Sequence, residues 1–472
     1  MTSLKFGTSG LRGLVSELVG LPTYSHVRAF CAMLRDDDTQ AQGEVLIGRD
    51  LRSSSPLIAA QAAQAVADAG LVPVDCGAVP TPALALAAMT RGCAAIMVTG
   101  SHIPDDRNGL KFYRAQGEID KTDEAQILAW HDRLGLSTIP TLQAKAAPYD
   151  ALTAYKARYA DFFDSSALAG LTVGVYQHSS VGRDAICDVL AALGAKPLPL
   201  GRSDSFIPVD TEALRPEDEA LARQWAAEQR LDAIVSTDGD ADRPLVADER
   251  GVFLRGDLVG ALTAQFLGAD AIVTPVTSNS ALDRPGLFAR VFRTRVGSPY
   301  VIAGMEQAAS EGAAVVVGFE ANGGVLLGSD VTRDGRMLPA LPTRDAMLPI
   351  LSTLALKARQ GKLLSEIATE ARFAVALSNR LQEIPQDRTA ALIARLDADD
   401  AALRDDSFSG HGGVVARDCR DGLRLTLADG GTVHFRASGN APELRVYVEA
   451  ATPALAEALL AENLAFAAAQ TR

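Results

Sequence analysis

The chain has 472 residues, 48% hydrophobic and 22% charged, with a formal net charge of −13. That charge repels nucleic-acid phosphate and anionic lipid, and no Lys/Arg run opposes it, so neither is expected as a partner. No apolar stretch approaches the roughly 18 residues of a membrane span, the first residues lack the apolar core of a signal peptide, and the five scattered cysteines show no Cys-x-x-Cys spacing. A cytoplasmic protein with reduced, buried thiols is expected, of about three domains within a range of two to four.

Taken in order, Phe6-Gly7-Thr8-Ser9-Gly10-Leu11-Arg12-Gly13 is a glycine-rich loop with hydroxyls and one arginine, able to offer backbone N–H groups to an anion. Strands are expected at 44–49, 71–75 and 94–98, with helices at 57–68, 82–90 and 120–134. This βαβαβ alternation predicts a parallel or mixed sheet covered by helices. The third strand empties into Thr99-Gly100-Ser101-His102-Ile103-Pro104. Gly100 permits a tight or left-handed turn, and Pro104 disfavours helix just before it. A serine hydroxyl is thus expected on a rigid loop at a strand's carboxyl end, where open α/β sheets place ligands.

The pattern restarts near Tyr149, with strands at 171–176 and 233–236, an extended piece at 197–200 and helices at 151–163, 183–193 and 217–229. It restarts again near Gly251, with helices at 258–267, 280–289 and 300–310 and strands at 271–274, 291–295 and 314–317. The segments beginning at Ala94, Asp232 and Ala313 can be superposed as sequences: each is a buried strand followed by a polar loop, the mark of an internal triplication. Beyond about Leu356 the pattern changes. A helix at 387–397 is followed by strands at 413–416, 423–428, 432–437 and 444–449, with a hairpin signal at Asp429-Gly430-Gly431, and then by a helix at 453–468. The fold expected is α/β: three tandem mixed-sheet domains (1–148, 149–250, 251–366) and a C-terminal α+β domain (367–472), arranged around a central cleft.

Four loops carry the chemistry. Besides the serine loop, Thr237-Asp238-Gly239-Asp240-Ala241-Asp242-Arg243 places three carboxylates at alternate positions after a strand, a donor set for a hard divalent cation such as Mg2+. An EF-hand is excluded, because its glycine position holds Arg243, Pro244 follows, and a strand rather than a helix precedes. In Gly318-Phe319-Glu320-Ala321-Asn322-Gly323-Gly324, Glu320 and Asn322 can bond adjacent sugar hydroxyls. In Arg436-Ala437-Ser438-Gly439-Asn440-Ala441-Pro442-Glu443-Leu444-Arg445, Arg436 can grip a phosphate in bidentate fashion, with Ser438, Asn440 and the backbone at Gly439 completing a cradle.

In this order the loops resemble those of the α-D-phosphohexomutase family, over nearly the whole chain: T-G-S-H-x-P, D-G-D-x-D-R, G-x-E-x-N-G and R-x-S-G-N-x-P-E. The resemblance implies four domains around a cleft, each giving one loop. It implies that Ser101 is the phosphorylated serine and that Asp238, Asp240 and Asp242 bind Mg2+ with its phosphate. By the same resemblance Glu320 and Asn322 hold sugar hydroxyls, and Arg436, Ser438, Gly439, Asn440 and Arg445 hold the distal phosphate. Thr8, Ser9, Arg12, His102, Lys111 and Arg243 surround the reacting centre. The implied reaction interconverts hexose 6- and 1-phosphates through a hexose 1,6-bisphosphate, with mannose phosphate favoured. Glucose and glucosamine phosphates, or more distantly a metal-dependent sugar phosphatase, are the alternatives. The implied partner is a small sugar phosphate, for a monomer or homodimer. Many relatives carry His where Gly324 stands; its absence leaves Lys111 or His102 as general base. Ser and Thr are common where Asn322 and Asn440 stand, which blurs the choice of sugar.

Overall fold

The computed structural model describes residues 3–7, 10–36, 43–397, 408–438 and 442–471. Among the described residues there are five sheets, one of them only the pair Val331–Arg333 and Arg336–Leu338; the other four organise the units. In the first, the order from one edge is Lys5–Gly7, Gly10–Leu14, Arg107–Arg114, Ala94–Val98, Glu44–Arg49, Val72–Ala78 and Ala147–Pro148. The second runs Lys196–Arg202, Thr172–His178, Ala233–Thr237, Pro244–Ala247, and the third Arg290–Thr294, Ala271–Pro275, Val316–Phe319, Val325–Leu327, Leu341–Asp345.

One four-strand pattern recurs in all three. A first strand pairs in parallel with the second on one side and with the third on the other. The fourth then returns antiparallel to the third. The triplication read from apolar runs is therefore also one of topology. The serine, aspartate and Glu320 loops occupy one equivalent place, the turn between third and fourth strands. All three third strands are completely buried, which explains their unbroken apolar character.

The C-terminal unit is different. Val375–Gln382, Glu443–Ala450, Thr432–Ala437, Leu423–Leu427 and Val414–Asp418 pair antiparallel throughout. Leu423, Leu425 and Leu427 point inward, alternating with half-buried Arg424 and Thr426. Helices Gln386–Asp397 and Pro453–Gln470 close the core, which among the described residues holds side chains of this unit alone. By contrast the second and third units share one apolar core, which reaches Ala83 of the first.

Several expectations change. Helix 280–289 reduces to a 3-10 turn, Ser280–Asp283, because Pro285 and Gly286 interrupt it. Helix Leu364–Glu370 runs through the expected junction at 366, and Leu364 and Ile367 belong to the core shared by the second and third units. Cys31, Cys76 and Cys93 are buried, but Cys187 is half-buried and Cys419 exposed; all five are free thiols. Among the described residues no helix is long and apolar enough to cross a membrane.

Candidate active site

Ser101 sits at the end of Ala94–Val98, 1% exposed, with φ of 55°. The left-handed residue is the serine itself, not Gly100 as the sequence suggested. Such a conformation costs energy in a residue with a side chain and persists only where neighbours enforce it. Here they do. Thr99 Oγ1 accepts from the Ser101 N–H (2.8 Å) and donates to Asp50 Oδ2 (2.7 Å). Arg52, also 1% exposed, donates to the carbonyls of Ser101 (2.9 Å), Ile103 (2.5 Å), Pro104 (2.7 Å) and Arg107 (3.0 Å), while its Nε bonds Asp50 at 3.1 Å. Gly100 is needed for space: a Cβ there would lie 2.7 Å from the Arg52 guanidinium carbon.

The hydroxyl so aimed meets the second unit. Ser101 Oγ donates to Asp238 Oδ2 at 2.5 Å, and His102 Nδ1 lies 3.3 Å from Ser101 Oγ. The aspartate loop is a tight turn, not an extended run. Ala241 is left-handed at 58°, and the N–H groups of Asp242 and Arg243 both donate to Asp238 Oδ1 at 3.2 Å. This folding gathers Asp238, Asp240 and Asp242 so that one carboxylate oxygen of each lies within 4.8 Å of the others. All three are at most 1% exposed.

Lys111, on Arg107–Arg114, bonds Asp240 Oδ2 (2.6 Å) and Asp242 Oδ2 (2.7 Å); Thr81 Oγ1 donates to Asp240 Oδ2 (2.6 Å). The Oδ1 atoms of Asp240 and Asp242 are buried with no hydrogen-bond partner. Unused carboxylate oxygens in a buried cluster suit a hard divalent cation. Burial, then the charges of Asp240 and Asp242, push Asp238 well above the usual carboxylate range. Burial opposes the charge on Lys111, yet Asp240 and Asp242 raise it above its ordinary value. His102 is driven well below its ordinary value by burial and by Arg243 and Arg12. Arg12, on Gly10–Leu14, is lowered to about 10 by burial and Arg243, with Asp240 and Asp242 opposing. Arg243 Nε stands 3.7 Å from Asp242 Oδ1.

The third unit packs directly onto this cluster. Arg344, 3% exposed, bonds Asp242 Oδ2 through Nε (3.1 Å) and Glu320 Oε1 through Nη1 (3.2 Å). Asn322 Nδ2 donates to Glu320 Oε2 at 3.3 Å, and its carbonyl accepts from Thr211 Oγ1 of the second unit at 2.9 Å. Arg436 stands apart. Its Nε bonds Asp421 at 2.9 Å, and Asp421 Oδ2 also accepts from the Val296 N–H of the third unit at 2.9 Å. Ser438 is buried, its carbonyl accepting from Gln386. Arg445 lines the cleft with Glu212, Arg255 and Tyr447. Glu212 is open to that cleft, its carboxyl raised by desolvation, with Arg243 and Arg445 opposing the rise. Among the described residues no hydrogen bond or ion pair joins Arg436 or Arg445 to Ser101, the aspartates or Glu320. Thr8, Ser9, Gly439 and Asn440 lie outside the described residues.

Four domain models of phosphoglucomutase/phosphomannomutase match in succession: alpha/beta/alpha domain I over 3–134, domain II over 151–251, domain III over 255–373 and the C-terminal domain over 383–465. The chain belongs to that family. It is accordingly a phosphohexomutase, an isomerase of the mutase kind. It is 50% identical to a phosphomannomutase of Sinorhizobium fredii over 466 residues, covering 98% of both chains. It is 42% identical to a phosphomannomutase of Salmonella muenchen over 455 residues, covering 95% of this chain and 92% of the other. A crystal structure of a phosphoglucomutase/phosphomannomutase family protein from Burkholderia thailandensis shares the fold, with a TM-score of 0.78 at 22% identity over 98% of this chain and 96% of that one.

The phosphohexomutase site also holds residues that sequence reasoning passed over: Asp50, Arg52, Thr81 and Arg344. A charged residue at or just past the end of a strand was the available signal for two of them. Arg52 follows the strand Glu44–Arg49, and Arg344 lies between Leu341 and the apolar start of helix Met347–Gln360. Thr81 gave none, since a hydroxyl that starts a helix reads as an ordinary cap.

Proposed function

We propose that the protein interconverts mannose 6-phosphate and mannose 1-phosphate through phosphorylated Ser101 and a mannose 1,6-bisphosphate intermediate. The observation that carries this reading is the 2.5 Å contact of Ser101 Oγ with Asp238, inside a carboxylate cluster in which two buried oxygens make no hydrogen bond. The full-length similarity to two phosphomannomutases supports the choice of mannose.

In the reaction proposed, a hydroxyl of the bound monophosphate attacks the Ser101 phosphoryl group. The phosphorus–Oγ bond breaks as the new phosphorus–oxygen bond forms, and the hydroxyl proton passes to a base; of the two candidates His102, neutral because burial lowers it, can accept the proton, whereas Asp240 and Asp242 keep Lys111 protonated. The bisphosphate turns end for end, and its other phosphate returns to Oγ. Asp238, Asp240 and Asp242 would hold Mg2+, which when bound offsets charge on the phosphoryl oxygens. Lys111, Arg12 and Arg243 supply further positive charge beside the serine. Glu320 and Asn322 would orient sugar hydroxyls, and Arg436, Ser438, Gly439, Asn440 and Arg445 the distal phosphate, with Thr8 and Ser9 closing the centre from the first unit. Mannose 1,6-bisphosphate would serve as activator, by phosphorylating Ser101. The four units would act as four domains, the last junction lying beyond helix Leu364–Glu370.

The test is a panel of mannose, glucose and glucosamine 1-phosphates, each with Mg2+ and its matching 1,6-bisphosphate. The expected result is 6-phosphate formation with the highest kcat/KM for mannose. Preference for another sugar would overturn the mannose assignment. Stoichiometric release of inorganic phosphate would replace the mutase by a phosphatase.

A further inference from the structure

Three consecutive residues on strand Leu341–Asp345 are buried and polar, and each reaches a different part of the molecule. Thr343 Oγ1 donates to Glu118 Oε1 of the first unit at 3.0 Å. Asp345 accepts from the hydroxyls of Tyr155, at 2.5 Å, and Tyr159, both in the second unit. Arg344, between them, spends one guanidinium on two loops: Asp242 of the second unit and Glu320 of the third. Its stem crosses directly over Gly324. A Cβ on Gly324 would lie 2.9 Å from Arg344 Cδ, 3.0 Å from Cγ and 2.9 Å from the carbonyl oxygen of Asp242. No side chain fits there while Arg344 keeps its place.

The two carboxylates so joined have complementary free sides. Asp242 uses Oδ2 for Lys111 and Arg344, leaving Oδ1 directed elsewhere. Glu320 is held from both ends, by Arg344 on Oε1 and Asn322 on Oε2. A planar guanidinium can address two carboxylates in fixed directions at once, which an ammonium cannot. We propose that Arg344 is a positioning residue that sets the aspartate loop and the Glu320 loop as one rigid piece, and that Gly324 is the space it requires. Orientation of the sugar is thereby tied to orientation of the aspartate cluster. The inference rests on the reading of Asp242 as a cation ligand and Glu320 as a sugar contact.

The experiment compares Arg344→Lys, Arg344→Gln, Gly324→Ala and the double variant Gly324→Ala/Arg344→Gln. Each is assayed for Mn2+ affinity by calorimetry on metal-free protein, for kcat and KM with mannose 1-phosphate, and for thermal midpoint. Loss of a residue that orients ligands costs about 10- to 100-fold in metal affinity or activity. The expected result is a loss of that size in Mn2+ affinity, together with a raised KM, in Arg344→Gln and Gly324→Ala alike. Arg344→Lys should recover one effect but not both. The double variant should be no worse than the worse single one, because both substitutions remove the same arrangement. Additive losses would overturn the proposal, as would unchanged Mn2+ affinity and KM in well-folded single variants. Should Arg344→Gln fail to fold, Gly324→Ala and Arg344→Lys decide by the same readouts. A wild-type protein without mutase activity would instead break the functional reading, because the Mn2+ measurements stand independently of turnover.

Discussion

On the Ser101 side of the cleft Ser101, Lys111, Asp238, Asp240 and Asp242 are buried and bonded across units. On the Arg436 side the unit has its own core and meets the third unit mainly through polar contacts. Asn279 Nδ2 donates to the Ala374 carbonyl (2.9 Å), the Ser280 N–H to Glu449 (3.0 Å), Arg295 to the Arg420 carbonyl (3.0 Å) and Arg420 to that of Arg293 (3.1 Å). The difference matches the two tasks proposed. Phosphoryl transfer needs groups fixed before the substrate arrives. A phosphate grip that must serve a sugar in two orientations gains from a unit that can shift. Polar contacts exchange for hydrogen bonds to solvent at little net cost, whereas a shared apolar core does not.

The largest effect should follow from removing the nucleophile. Ser101→Ala is expected to lower mutase turnover by at least about 1,000-fold, since no other group can carry the phosphoryl through the cycle. Its thermal midpoint should stay near that of the wild type. Turnover within tenfold of wild type would place the carrier elsewhere. Next, the clamp behind the serine can be broken. Arg52→Met leaves Asp50 buried without its ion-pair partner, and losing one partner of such a pair costs about 3–5 kcal/mol. Chemical denaturation followed at the first unit should show it. A cost below about 1 kcal/mol, typical of an exposed pair, would mean that the serine loop is held otherwise. On the far side, Arg436→Gln should act on binding alone. KM for the sugar phosphate is expected to rise about 10- to 100-fold, with thermal stability nearly unchanged, because a charge-assisted phosphate contact made equally in ground and transition states lowers KM without raising kcat. A collapse of kcat at unchanged KM would move Arg436 to the reacting end.

The sequence revealed the two sides unequally, for physical reasons. Strand Ala94–Val98 was legible to the residue because a strand buried on both faces is an unbroken apolar run bounded by polar turns. Asp238, Asp240 and Asp242 were legible because three acids so close together are costly unless a cation gathers them. Helix Leu21–Asp36 was not, because its inward face includes Thr23, Ser25 and His26, which blur the apolar period. Strand Arg107–Arg114 was hidden by its own function: Lys111, 4% exposed, reads as a surface residue until its two aspartates are brought to it by the fold. The coupling of Arg344 to Gly324 spans two loops and lies in no local pattern.

The smallest predicted effect probes the Arg436 side through pH. His434 is 2% exposed, its Nε2 donating to the Asp421 carbonyl at 2.6 Å, with Tyr447 stacked on it and Arg424 and Arg436 nearby. Burial is the main cause that lowers it from its ordinary 6.5 to about 4. With the folded value below the unfolded one, the unfolded chain takes up the proton first. The stabilisation is complete above about pH 6.5, shrinks as pH falls, and is gone near pH 4. At pH 5 the loss is about 2 kcal/mol, at 1.36 kcal/mol per pH unit. His434→Gln keeps a donor for Asp421 but no titrating ring. In calorimetry from pH 7.5 to 5, the C-terminal transition of the wild type should therefore move down relative to that of the variant. Parallel pH profiles for the two proteins would show that His434 protonates without strain, and that the unit carrying Arg436 owes its acid sensitivity to other groups.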